Sequence, residues 1–508
     1  MNAASKEDLA SHSRTEPHHR TSIGTLIRQR TLANLMPDKK IGKAPGVWQS
    51  IKAILLASWL NLLLFCIPVS WVLHFALPHS LSSRDTIIFV FSFLAIVPLA
   101  KLLAFATEEI SLRVGQTLAG LINATLGNAV ELIVAIIALV KCELRIVQAS
   151  LVGSILSNLL LVLGMCFFAG GLKYSEQGFG ASATQLNSSL LTISVIAVLL
   201  PAAFHFAADP QLSNNQEGHD ILAVSRGVAI ILLFIYAAYL SFQLYSHTAL
   251  YSDHATGTTQ YDSPKFRVPE QFRYRRNHKV NGDVENSNGT ASTAIASHGA
   301  PSPAALSHRT TSIPSDGQAL SDQAIPQQDG AHSTNHPEGE EEPNLSLPVT
   351  LGLLVVITVL VAITAEWLVD SIDGMTSSNT IGKEFVGIIL LPIVGNAAEH
   401  VTAVAVSVKD KLNLSLGVAV GSSIQIALFV IPFIVTLAWI LGKPLTLLFD
   451  PYESVALFLA VLTVNYVVQD GKSNWLEGFI LMCLYLILAV TFWFYPGSDP
   501  SGVLATCH

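Results

Sequence analysis

The sequence predicts an all-α polytopic membrane protein of about eleven transmembrane helices, built as one leading helix plus two inverted five-helix repeats. Three observations predict it. Only 13% of the 508 residues are charged and 51% are hydrophobic, whereas a soluble chain would carry about 25% charged residues. The apolar residues gather in runs of about 20, the length that spans the hydrocarbon core of a bilayer. Two segments 268 positions apart share one motif.

The runs lie near 51–76, 86–107, 117–140, 147–169, 187–208, 222–246, 347–370, 385–408, 414–441, 451–468 and 476–495. Residues 1–47 are basic and polar, read as a disordered tail with no apolar stretch of a cleaved signal peptide. Residues 48–82 form the leading helix, 83–250 the first repeat, 346–496 the second and 497–508 a terminal tail. Between them, 251–345 is rich in Ser, Thr, Asn, Gly, Pro and His and ends in acids Glu338, Glu340, Glu341 and Glu342. That composition reads as a disordered linker, with the acids as a candidate regulatory segment. Arg28, Arg30, Lys39, Lys40, Lys43 and Lys52 crowd the first span, so the positive-inside rule puts the N-terminus in the cytosol. Lys141 and Arg145 count against this scheme, because they fall on the other side.

The five cysteines (Cys66, Cys142, Cys166, Cys483, Cys507) follow no spacing, which argues against a disulfide framework or a CxxC metal site. Nothing suggests nucleic-acid binding. No Ser/His, HExxH or phosphate-loop pattern suggests an enzyme. Lipid, inorganic ions and further copies of the chain are the partners compatible with the composition, and no cofactor is expected.

The shared motif is GNAVELIVAIIALV at 127–140 and GNAAEHVTAVAVSV at 395–408, each followed by a helix opening with VGS, at 152–154 and 420–422. From 127 to 164 against 395 to 432, 13 of 38 positions are identical, including Gly, Asn, Glu and Ser. Glu131 falls in the third predicted span and Glu399 in the eighth. Five spans apart, the copies cross the membrane in opposite senses, the architecture of many secondary transporters, with the ion site between the repeats.

A carboxylate in mid-membrane costs about 3 kcal/mol even on a lenient scale, so Glu131 and Glu399 are candidates for ion binding. Gly127, Asn128, Gly395 and Asn396 accompany them. Ser154 and Ser422 add hydroxyl oxygens, and Gly153 and Gly421 are expected to break the second helices and free carbonyls. Carboxylate, amide, hydroxyl and carbonyl oxygens suit a hard divalent cation. Two protons would neutralise the same pair of acids. Glu108, in the ATEE run 106–109, and Glu366 with Asp370 stand one helix before each motif, as candidate entry points or proton relays. Glu109 is expected at an interface in water.

The paired motifs resemble the cation/proton exchanger family, and within it the vacuolar calcium/proton antiporters of fungi and plants. The resemblance covers roughly 50–250 and 345–495. It implies an antiporter of the vacuolar membrane in which Glu131 and Glu399 bind calcium and protons alternately. Asn128, Asn396, Ser154, Ser422 and Gln425 are implied as supporting positions, and Glu108 and Glu366 as gating acids. The related sodium/calcium exchangers carry Pro before the acid; Val130 and Ala398 stand there in this chain, which favours protons over sodium. Manganese or sodium antiport and a cation channel are the alternatives.

Overall fold

Ser58 cuts the first apolar run. Its extended backbone ends one helix, and its Oγ accepts from Leu60 N at 3.2 Å to start the next. The run expected as a single span over 51–76 is therefore a short helix α1 (Val47–Leu56) and a crossing over Trp59–Ala76, whose second part is α2 (Cys66–Ala76). The computed structural model describes residues 42–78, 80–81, 83–207, 214–247, 250, 343–377, 381–498 and 507. Most of the N-terminal tail and of the linker, including Glu338, Glu340, Glu341 and Glu342, lies outside the described residues.

The first half continues with α3 (Arg84–Ser111), α4 (Gln116–Leu126), α5 (Ala129–Val140), α6 (Leu144–Gly171), α7 (Ala181–Ala207) and α8 (Asn214–Ser241). The second half holds α9 (Leu347–Thr376), α10 (Lys383–Gly395), α11 (Ala397–Ser407), α12 (Leu412–Ile440), α13 (Pro451–Val467) and α14 (Trp475–Phe494). Among the described residues, eight helices are long and apolar enough to cross a bilayer. The number is ten when the bent pairs α4/α5 and α10/α11 each count as one crossing. The expected eleven exceeds this because α13, capped by Asp450 and begun by Pro451, has 17 residues and falls short of that length.

Helices α6 and α12 form the centre, 83% and 72% buried over their apolar stretches, against 22% for the peripheral α9 and α14. The outer helices expose large apolar side chains such as Phe234, Phe458 and Phe494, which a bilayer would cover. Helix α6 crosses α10 so closely that a Cβ on Gly153 would run into the backbone of Ile388. The expected break at Gly153 is absent: α6 passes through it, and the glycine serves close approach instead. Each of α6 and α12 widens into a π-helical turn at equivalent places, Ser157–Val162 and Ile426–Val430.

The ends of the helices sort onto two faces. On one, called here the linker face, Asn344 N, Asn344 Nδ2 and Leu345 N donate to the Glu109 carboxylate at 3.1, 2.8 and 3.2 Å. The short antiparallel pair β1 (Gln177–Gly178) and β2 (Lys472–Ser473) lies on this face too. Glu109, expected in water, is instead 1% exposed, because these donors and Arg113 replace its hydration. On the far face, Lys141 pairs with Glu366 at 3.3 Å and with Asp370, and Arg145 pairs with Glu384. Burial works against the Lys141 charge, yet Asp370 and Glu366 together hold its ammonium above the ordinary value. The two cations that strain the positive-inside reading are thus matched by acids.

The far face also carries a disulfide between Cys142 and Cys507, 365 positions apart, so the cysteines lack a framework but not a bond. No spacing rule could show it, since only the fold brings the two together. Cys66, Cys166 and Cys483 are free. Thiol titration of the denatured protein is expected to count three thiols before reduction and five after. Five thiols without reductant would remove the bond.

Candidate functional site

Both GNA segments fold as breaks. Helix α4 ends at Leu126 and α5 starts at Ala129, with a 44° bend across Gly127 and Asn128. Helix α10 ends at Gly395 and α11 starts at Ala397, with a 57° bend at Asn396. The broken helices are therefore those carrying the glutamates, not the VGS helices that the sequence suggested. Gly and Asn suit this place, since neither demands helical geometry and the Asn amide can satisfy what the break exposes. Each break puts its acid in the first turn of a new helix, Glu131 in α5 and Glu399 in α11. The positive end of a helix dipole favours a carboxylate there.

The two half-helices run in opposite senses. Helix α5 leads from its break to Lys141 on the far face. Helix α11 leads from its break to Ser407, whose carbonyl accepts from Gln177 Nε2 at 3.1 Å on the linker face. Each broken helix meets the VGS helix of the other half. Ser422 Oγ donates to Asn128 Oδ1 at 2.8 Å, and Asn128 Nδ2 donates to Gln425 Oε1 at 2.6 Å. In the other pairing, Asn396 Nδ2 donates to the Ser154 carbonyl at 3.4 Å, and Ser157 Oγ lies 3.4 Å from His400 Nε2. A Cβ on Gly395 would stand 2.9 Å from Glu131 Oε1, so this glycine leaves room for the acid. Glu131 lies near enough to Glu399 for the two charges to act on each other, and Ser422 and Asn158 stand against Glu399.

Three buried oxygens here have no hydrogen-bond partner: Glu399 Oε2, Asn396 Oδ1 and Asn158 Oδ1. Buried acceptors left unsatisfied cost about 1–3 kcal/mol each, and a hard cation with oxygen ligands would satisfy them. Among the described residues no group of three or more His, Cys, Asp or Glu could hold a metal ion. The oxygens gathered here come from two acids, amides and hydroxyls.

A cavity of about 600 Å³ extends from Glu108 and Asn123 on the linker face past Gly127 and Gln425 to Glu399. Beyond the acids, a void of about 20 Å³ holds Glu131, Ser150, Ser154 and Gly395. Glu131 is 9% exposed. The candidate residues Gly127, Asn128, Glu131, Ser154, Gly395, Asn396, Glu399, Ser422 and Gln425 are brought together. Glu108 lines the cavity mouth. Glu366 and Asp370 stand apart from it, on Lys141 at the far face.

The repeat did not point to Asn158, because the position 268 residues later is Ile426. It donates through Nδ2 to Ser422 Oγ at 3.1 Å. Lys101 was also missed; its ammonium donates to Thr402 Oγ1 at 3.2 Å, one turn past Glu399. Asn158→Ala is expected to weaken calcium affinity by about 10-fold, in the range for residues that orient ligands. Calcium-dependent uptake by the variant measures this, and an unchanged half-saturating concentration would place Asn158 outside the site.

The family described as sodium/calcium exchanger protein matches residues 84–245 and 349–494, more than half of the chain. The chain belongs to it. Within the family, its relatives are vacuolar cation exchangers of fungi and plants. The vacuolar calcium ion transporter of Cryptococcus neoformans is 54% identical over 495 residues, 94% of this chain and 80% of that protein. The Ca(2+)/H(+) antiporter of a Synechocystis strain is 38% identical over 438 residues, 86% and 97% of the two chains. Among solved structures, native YfkE shares 28% identity with a TM-score of 0.59, covering 86% of this exchanger and all of that one. The matched segments stop either side of the linker.

Proposed function

We propose that this exchanger is a secondary antiporter that moves calcium out of the cytosol in return for protons, with Glu131 and Glu399 carrying both cargoes in turn. The observation that carries the reading is the placement of the two acids, each opening a half-helix from an opposite direction, with Glu399 lining the linker-face cavity and Glu131 lining a separate small void next to Gly395. The names of its fungal, plant and cyanobacterial relatives support calcium and protons as cargo. The opposed senses of α5 and α11 support two inverted repeats.

Charge decides the coupling. Empty, the pair carries two negative charges in a dry interior, a state too costly to pass through occlusion. Calcium or two protons neutralise it. Asn128, Asn396, Asn158, Ser422 and Gln425 orient the acids and lend oxygens to calcium, and Gly127 and Gly395 leave space for it. Only loaded forms cross, so the cargoes exchange. Glu108 collects cations at the cavity mouth, while Glu366 and Asp370 with Lys141 guard the far exit. The linker face is cytosolic by its basic flank and the far face lumenal, in a vacuolar membrane like that of the fungal relatives. The linker, with Glu338 to Glu342, is a cytosolic tether between the halves.

Purified protein in vesicles tests this. Calcium uptake is expected to follow an imposed proton gradient and collapse with an ionophore, with manganese and sodium as competitors. Uptake indifferent to the gradient would overturn proton coupling.

A further inference from the structure

A second set of buried acids lies on the far face, outside the cargo site. Glu384 opens α10, while Asp450 and Glu453 open α13; they are 3%, 6% and 1% exposed. With Arg145, Gln148 and Ser498 they line a void of about 10 Å³. Asp450 is saturated with donors. Tyr495 O–H lies 2.9 Å from both its oxygens, Ser498 N and Oγ donate at 2.7 Å, and Tyr452 N and Glu453 N donate to Oδ1.

Glu384 and Glu453 line the same void, each within reach of the other's carboxyl. Glu384 takes the single guanidinium, Arg145. Glu453 Oε2 is buried and has no hydrogen-bond partner. The other nearby cation, Lys383, is held by Glu143 and Asp373. Three carboxyls thus face one cation, and two of them touch. Two touching carboxylates cannot both be ionised at low cost, and one shared proton converts their repulsion into a hydrogen bond. The acids do not converge as a metal cage would, since the described residues contain no such group. A proton is the ligand that fits.

We propose that Glu384 and Glu453 form a second proton-binding site, and that its proton latches the far side shut while the linker-side cavity is open. The geometry ties latch to cargo site through two helices. Arg145 and Ser154 share α6, and Glu384 and Gly395 share α10, so each helix joins them over roughly 13–17 Å at its 1.5 Å rise per residue. The shared proton fastens the start of α10 to that of α13. When it leaves, the two acids repel and α10 is freed at the end that must move to open the far side. Protons on the far face thereby favour the form that faces the linker side. This coupling to exchange rests on the proposed antiport, whereas the proton site itself does not.

The test uses full-length protein in nanodiscs, without calcium. With Cys66, Cys166 and Cys483 replaced by Ala, Val394→Cys places a thiol in the void beside Glu131, and a membrane-impermeant thiol reagent reads its exposure against pH. Labelling is expected to rise several-fold from mildly acid to mildly alkaline pH. Adding Glu453→Gln, which supplies a permanent hydrogen-bond donor, is expected to keep labelling low throughout. Thermal midpoints give a second readout. The folded pair holds a proton that the unfolded chain has already released above about pH 4–5, so the parent loses stability as pH rises from there, and Glu453→Gln reduces that loss. Identical pH profiles for parent and Glu453→Gln in both measurements would overturn the site. A shifted profile beside absent calcium exchange would instead retain the site and remove the antiport reading.

Discussion

Glu131→Gln and Glu399→Gln are each expected to reduce proton-driven calcium uptake on the order of 100-fold or more, to background, with the protein still folded. Glutamine keeps the shape and the polar contacts but removes one of two negative charges. Calcium would then leave a net positive charge in a dry site, and a single proton would suffice to neutralise what remains. The calcium-loaded and proton-loaded forms no longer match in charge, so the exchange stops at the occluded state. Stability should not fall, because replacing a buried acid by its neutral isostere removes a desolvation cost. Uptake at the wild-type rate in either variant would remove that acid from the transport cycle.

The second large effect separates two positions that the repeat makes equivalent. Gly153→Ala is expected to destabilise the protein by roughly 1–3 kcal/mol, the usual cost of overpacking, and to cut uptake strongly. The added methyl would meet the Ile388 carbonyl and backbone, which cannot step aside as a side chain can. Gly421→Ala, its counterpart 268 residues on, is expected to be close to silent, since nothing lies within 4 Å of the new atom. Thermal unfolding and uptake of the two variants check this. Equal behaviour would mean that α6 and α10 do not cross as described.

The self-similarity of the two halves made the acids and their amide and hydroxyl neighbours legible before any coordinates. The length of the apolar runs alone located most of the spans. The place of the breaks was less legible. Gly153 and Gly127 look alike in sequence, and only packing against Ile388 shows that one buys proximity and the other a bend. Burial cost alone puts Glu109 in water, and the donors of Asn344 and Leu345, which arrive from across the linker, reverse that. Asn158 escaped because the repeat sets Ile426 opposite it. Pairing by symmetry finds what is shared, and a residue used by one half alone is invisible to it. The far-face acids escaped for a similar reason, since Glu384, Asp450 and Glu453 meet only through the fold.

The bond between Cys142 and Cys507 encloses in one covalent ring every helix from α6 to α14, and the linker within it. A protease that nicks the linker therefore does not release two pieces. The fragments stay joined until a reductant is added, so intactness on a non-reducing gel says nothing about whether the chain has been cut.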